Sequence, residues 1–266
     1  MYKLLALDLD GTLLRHDGIV DERDRAAIAE VRAAGVTVTI VTGRLHSGAL
    51  GAARACAIEG AIACMEGSHL VEVGGATLAH HAIAPPTTRA LHDAFSTHGL
   101  AAFVFDRDGI HHDHAGAQFA HYVATWSPNL RVVEAAAAWN TEPLAAVAIG
   151  SPEAVAAALP LVRAQPLFTA SFAVGAAPGM HAILVRAAGP SKGTALASLC
   201  EGAGCSLADA VAVGDWVNDV PMFRVAGRSF AMGMAPPAVA EAATDQLVRP
   251  AGSGGGIAEA IRRAWG

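Results

Sequence analysis

Residues 3–9 are apolar up to Asp8 and end in acid and glycine, the pattern of a buried strand running out into a loop. Asp21 is placed to cap a helix in which Ala26, Ile28, Ala29, Val31 and Arg32 carry a helical rhythm, and Gly35 is placed to end it. Residues 36–41 alternate Val, Thr and Ile, which is strand composition, before Thr42-Gly43-Arg44 breaks the run. A strand, helix, strand unit with so long a connection predicts two parallel strands joined by a right-handed crossover, the start of a doubly wound sheet. Ligands bind beyond the carboxyl ends of the strands in such sheets, and Asp8, Asp10 and Thr42 all fall there.

The last quarter of the chain repeats the rhythm: helix over 191–201, strand over 210–213, helix over 218–225, strand over 228–232, and a final helix over 257–265 after the glycine-rich residues 252–256. The middle reads differently. Pro85-Pro86 opens a helix to Thr97, and strands over 100–106 and 110–113 flank Arg107-Asp108-Gly109. A helix over 152–163 and strands over 167–174 and 180–186, turned at 175–179, complete a mixed α+β segment. The expected architecture is therefore α/β, with a Rossmann-like parallel-sheet core formed by residues 1–83 and 188–266 and an α+β domain inserted at 84–187. The alanine run 135–138 reads as biased composition, and no repeat is found.

Composition narrows the functional classes. A chain of 266 residues, 53% of them hydrophobic, can bury two modest cores. The net charge of −6 and scattered Lys and Arg argue against nucleic acid as a partner. The first apolar run, residues 4–7, is far too short for a signal peptide or a membrane span, so a soluble, cytoplasmic protein is expected, monomeric or homodimeric. Cys56, Cys64, Cys200 and Cys205 lack zinc-site spacing and read as small buried hydrophobes.

The string Asp8-Leu9-Asp10-Gly11-Thr12 places two carboxylates two residues apart at a strand end, where the period of the strand aims both into one cleft. Like charges so close call for a divalent cation, and Mg²⁺ suits one or two carboxylates with substrate oxygens and water. Thr42-Gly43-Arg44, Lys192-Gly193 and Gly214-Asp215-Trp216-Val217-Asn218-Asp219 follow in order, each near a predicted carboxyl edge or helix start. Singly, each has a plain structural reading: a turn, a solvated helix residue, a helix cap with its complementing acid.

Together the four strings resemble the motifs of the haloacid dehalogenase-like superfamily, and the Gly-Asp-x-x-Asn-Asp form with a large mixed insert looks like its Cof-type phosphatase branch. The resemblance implies Mg²⁺-dependent hydrolysis of phosphate monoesters of small metabolites, sugar phosphates first. It makes Asp8 the nucleophile that forms an aspartyl-phosphate and Asp10 the acid and base. Thr42, Gly43, Lys192 and Asn218 would bind phosphate. Asp8, Asp215 and the Asp10 backbone carbonyl would hold the metal, with Asp219 supporting Lys192 or a metal-bound water. The insert would be a cap that reads the substrate.

Two residues depart from the branch. Trp216 stands where a small or polar residue is usual, so either its indole shields the site or the loop is shaped differently. Glu66-Gly67 occupies the place of an expected Asn-Gly, and because a carboxylate facing phosphate is unhelpful, Glu66 is expected to point elsewhere. The cluster His111-His112-Asp113-His114, read as a strand, divides its side chains between two faces; strand-edge solvation or a substrate hydroxyl contact is expected rather than a second metal. His80-His81 reads as a polar connector. The same aspartyl-phosphate could serve a sugar phosphomutase, and a catalytically silent phosphometabolite sensor is the reading from another class. Phosphonate cleavage would need a lysine in the insert, and residues 84–187 contain none.

Overall fold

The computed structural model describes residues 1–107, 109–175 and 177–266. The chain opens with β1 (Leu4–Leu7), α1 (Glu22–Ala33), β2 (Thr37–Ile40), α2 (His46–Ala55), β3 (Ala61–Cys64), β4 (His69–Glu72) and β5 (Thr77–His80). Then come α3 (Pro85–Thr97), β6 (Ala101–Phe105), β7 (Ile110–His112), α4 (Ala120–Val123), β8 (Leu130–Val132), α5 (Ala135–Ala138), β9 (Ala145–Gly150), α6 (Pro152–Arg163), β10 (Leu167–Ala173) and β11 (His181–Ala187). The chain finishes with α7 (Lys192–Gly202), β12 (Ala210–Gly214), α8 (Val220–Phe223), β13 (Arg228–Gly233), α9 (Pro237–Ala242), β14 (Asp245–Pro250) and α10 (Gly256–Trp265).

These elements form two units: Met1–Gly43, Ala49–Ala79 and Pro190–Gly266 make one, Arg44–Gly48 and His80–Gly189 the other. The first is built on a parallel sheet in the order β14-β13-β12-β1-β2. Every residue of β1 is buried, as a central strand covered on both faces requires. One face packs Leu5, Leu7, Ile28, Ile40 and Ile257, the other Leu4, Ala6, Leu196, Leu199 and Met222. Helix α1 is capped by Asp21, whose side chain accepts from the Arg23 amide. Its buried Asp24 reaches across to accept from the amides of Gly255 at 2.7 Å and Ala258 at 2.8 Å, capping the start of α10.

The second unit is a six-stranded sheet, β10-β11-β9-β6-β7-β8, antiparallel except for the β7–β8 pair. Helices α3 and α6 pack against it through Leu91, Phe95, Val155, Ala158 and Val162. The predicted turns at 107–109 and 175–179 include Asp108 and Ala176, which lie outside the described residues.

The predicted helix over 218–225 resolves into a 3-10 turn, Val217–Asp219, and the single turn of α8, because Pro221 permits a helix start but not a continuous one. The histidine cluster is not a solvated strand: β7 ends at His112, and Asp113 caps the next turn by accepting from the amides of Ala115 and Gly116. His111 and His112 are buried, His111 against Asp106 at 2.7 Å. All four cysteines are free thiols, three buried and Cys205 half-buried. Among the described residues no helix is long and apolar enough to cross a membrane.

Candidate active site

The register of the parallel sheet decides which side chains meet. Leu7 pairs with Val213 on one side and with Ile40 on the other, so the residues that follow β1, β12 and β2 leave the sheet side by side. Asp8 keeps strand geometry, its amide donating to the Val213 carbonyl at 3.0 Å. Gly11, at φ +80, turns the chain so tightly over Asp215 that a Cβ there would stand 2.6 Å from Asp215 Oδ2. Asp10 is exposed at this strand end, and Thr42 is fully buried after β2, its amide donating to Ala63.

Lys192 is the first residue of α7, which Ser191 opens with a capping box completed by Thr194. A fully buried ammonium in the first turn of a helix is opposed by both desolvation and the helix dipole. Two carboxylates offset this. Lys192 Nζ donates to Asp8 Oδ1 at 2.5 Å and to Asp219 Oδ1 at 2.6 Å. The other oxygen of Asp219 accepts from the Asp215 amide at 2.8 Å and the Trp216 amide at 2.9 Å. One acid thereby fixes both the lysine and the loop that carries Asp215.

Charge states follow from this packing. Burial pushes the Asp8 carboxyl well above the ordinary range, and Asp219 and Asp215 add to that against the pull of Lys192. Burial works against the Lys192 ammonium, but Asp219, Asp8 and Glu66 outweigh it and hold its pKa well above the usual value. Asp215 is pushed up to about 6, by burial first and by Asp219 second, while the Thr12 hydroxyl, 3.0 Å from its Oδ1, pulls the other way.

Asp8, Asp215 and Asp219 each offer a carboxylate oxygen within 4.8 Å of the others. Both oxygens of Asp219 are already engaged by an ammonium and two amides, which leaves Asp8 and Asp215 as the acids able to bind a cation. An oxygen of each of these two carboxylates lies within 4.8 Å of the other, a closeness of like charges that a proton or a cation between them relieves. An all-oxygen donor set of this kind suits a hard ion such as Mg²⁺.

Glu66 overturns an expectation. Instead of pointing away, its Oε1 accepts from Asn218 Nδ2 at 2.8 Å and lies where a Cβ on Gly43 would be 2.6 Å away. The backbone makes this possible: Met65 at φ 48 and Glu66 at φ 58 are both left-handed, each costing about 1–2 kcal/mol. Thr12 is a second residue to which the sequence alone assigns no role, although it lies within the first motif string. Trp216 is 56% exposed while its amide is tied to Asp219.

The family model described as haloacid dehalogenase-like hydrolase matches residues 5–261. The chain belongs to that family. Among its curated relatives is the pyridoxal phosphate phosphatase YbhA of Escherichia coli, 27% identical over 248 residues, or 89% of this chain and 90% of that protein. Another is the HMP-PP phosphatase of Yersinia pseudotuberculosis, 27% identical over 242 residues, 89% of this chain and 86% of that protein. A haloacid dehalogenase-like hydrolase from Bacteroides thetaiotaomicron superposes with a TM-score of 0.84 at 22% identity, covering 100% of both chains. A sugar phosphatase of subclass IIB gives 0.79 at 20% identity over 98% of each chain, and at such identities the likeness speaks to the fold. As a haloacid dehalogenase-like hydrolase the chain is an enzyme, and its curated relatives are phosphatases.

Proposed function

We propose that this hydrolase cleaves phosphate monoesters of small metabolites in a Mg²⁺-dependent reaction that passes through an aspartyl-phosphate on Asp8. The observation that carries the reading is the buried chain Asp8, Lys192, Asp219, with a carboxylate oxygen of Asp215 within 4.8 Å of those of Asp8 and Asp219. Asp8 attacks phosphorus through its carboxylate, the bond from phosphorus to the leaving oxygen breaks, and Asp10 gives that oxygen a proton. Asp10 then takes a proton from the water that cleaves the acyl phosphate, releasing inorganic phosphate and restoring Asp8. Thr42 and the Gly43 amide hold phosphoryl oxygens, and Lys192, fixed by Asp219, neutralises their charge. Asp8, Asp215 and the Asp10 carbonyl would hold Mg²⁺, which when bound would supply the positive charge an anionic nucleophile needs to approach an anionic ester. The inserted unit supplies discrimination among substrates. Replacing residues 84–187 by a short linker is expected to leave metal binding and to broaden selectivity; an unchanged substrate profile would refute that role.

Leaving-group chemistry separates the two aspartates. Nitrophenolate departs without a proton, so Asp10→Asn should release a burst of about one equivalent of nitrophenol per site and then stall as the acyl phosphate accumulates. Asp8→Asn should show no burst, and Asp10→Asn should show none with an alkyl phosphate. Rapid-quench kinetics in Mg²⁺ reads all three. A burst from Asp8→Asn, or unimpaired turnover by Asp10→Asn, would reverse the assignment.

A further inference from the structure

Glu66 stands at the tip of a turn that its backbone does not favour. Met65, Glu66 and Gly67 have φ values of 48, 58 and 90, three successive left-handed residues of which only one is glycine. Strain of this kind persists where surrounding structure enforces it and is concentrated at binding sites. Here the Glu66 amide donates to the Thr42 carbonyl at 3.0 Å, the Ser68 amide donates to Met65 at 3.0 Å, and Gly67 fits against the Ser191 carbonyl, where a Cβ would be 2.7 Å away. The turn is thus fastened to the two segments assigned to the phosphate, Thr42-Gly43 and Ser191-Lys192.

The side chain it delivers changes the polarity of its neighbour. A carboxylate can only accept, so Asn218 must turn Nδ2 toward Glu66, and it does so at 2.8 Å. Its carbonyl is thereby turned the other way, and Asn218 Oδ1 is buried without a hydrogen-bond donor among the described residues. With an amide at position 66, either orientation of Asn218 could be satisfied. Beside Gly43, then, lies the Glu66 carboxylate, and bonded to it an Asn218 whose carbonyl is buried and unpaired, so that both residues offer acceptors. Such a pair is complementary to a hydroxyl or a protonated nitrogen and repels phosphate, which offers only acceptors when fully ionised, so Asn218, expected to bind phosphate, is assigned here to the organic part instead.

We propose that Glu66 is a specificity-determining residue: with the Asn218 carbonyl it orients, it binds a hydroxyl or ammonium group on the organic part of a monophosphate, and it rejects substrates that carry a second phosphate. The inference rests on the phosphatase reading above and narrows its substrate class to hydroxylated or amine-bearing monophosphates. A merely structural brace would make Glu66 indifferent to what the substrate carries.

The test uses the full chain with Mg²⁺ and compares kcat/KM for ethyl phosphate, 2-hydroxyethyl phosphate, 2-aminoethyl phosphate and ethyl diphosphate in the native protein, Glu66→Gln and Glu66→Asn. Native protein should prefer the hydroxy and amino esters to ethyl phosphate by about tenfold, the worth of one good hydrogen bond. Either variant should erase that preference and raise ethyl diphosphate relative to ethyl phosphate by a similar factor of about ten. Inhibition of nitrophenyl phosphate hydrolysis gives a second readout, in which pyrophosphate should tighten more than inorganic phosphate in both variants. Equal losses on all four esters, with the pyrophosphate-to-phosphate inhibition ratio unchanged, would overturn the assignment and leave a structural brace. If native protein hydrolyses no phosphate ester, nitrophenyl phosphate included, the phosphatase reading itself falls.

Discussion

Both carboxylate oxygens of Asp219 are engaged by neighbours, so its part in the reaction is to hold Lys192 and the Asp215 loop in place. Asp219→Asn keeps an oxygen for the two amides but turns an NH₂ group toward the ammonium, leaving Lys192 with Asp8 alone. The expected result is a kcat lowered by about 100-fold with KM little changed, as for loss of a group that acts on transition-state charge. Steady-state kinetics beside a thermal melt checks it, and a kcat within about threefold of the native value would remove Asp219 from the positioning role. That Asp8, Lys192 and Asp215 come together could be expected from the sequence, because their order along the chain and their places at two strand ends and a helix start constrain each other. Glu66 could not. Residue type says that a carboxylate should avoid phosphate, and nothing in the string Met65-Glu66-Gly67 announces two left-handed residues that swing the side chain toward Gly43. Thr12 was in view but carried no distinguishing sign, since its bond to Asp215 spans 203 positions of sequence.

Helix α1 both covers the parallel sheet and caps α10, an arrangement joining two ends of the chain through the single buried Asp24. Asp24→Ala would leave the Gly255 and Ala258 amides buried without an acceptor, at about 1–3 kcal/mol each, so the melting temperature should fall by several degrees. Asp24→Asn should fall less, because one amide oxygen can still accept. At a temperature where both variants remain folded, kcat/KM should match the native protein; loss of activity without loss of stability would mean that Asp24 acts on the site instead. Helix α1 was legible because apolar periodicity and the cap at Asp21 agreed, and α7 from its place in the repeated strand-helix rhythm; its Ser191 cap emerges only in the structure. Several of the elements missed have weak signals of their own. Helix α2 is mostly Ala, Gly and Ser, with Leu50 its one large apolar residue, and α5 is four alanines. Strand β14 buries Leu247 alone among exposed and half-buried positions and ends in proline, which reads as a loop. Its place in the sheet comes from pairing with β13, a tertiary fact.

Among the described residues Lys192 is the single ammonium in a group of four carboxylates, Asp8, Glu66, Asp215 and Asp219, so the cation-free fold carries an electrostatic burden that should show in its pH dependence. Asp215, at about 6 in the folded protein against 3.8 ordinarily, keeps its proton over a window in which the unfolded chain has lost it. The stability that this contributes is fully present below 3.8 and is lost as pH rises through about 6. Asp8, raised well above its ordinary value by burial, shifts in the same sense. Cation and proton compete for the same oxygens, so Mg²⁺ should bind weakly at pH 5 and tightly above pH 7, about one unit on either side of that midpoint. Melting curves at these two pH values, with and without saturating Mg²⁺, should show a small metal-induced rise at the lower and a rise of several degrees at the higher. Asp21, held near 2 by its bond to Arg23, titrates below this range and does not interfere. Asp215→Asn supplies the internal control: its amide carries no charge to relieve, so the cation-free variant should lose less stability between pH 5 and pH 7 than the native protein, and its response to Mg²⁺ should be small at both. A native metal-induced shift that is equal at the two pH values, or one that survives intact in Asp215→Asn, would show that the cation is not held by this pair of acids.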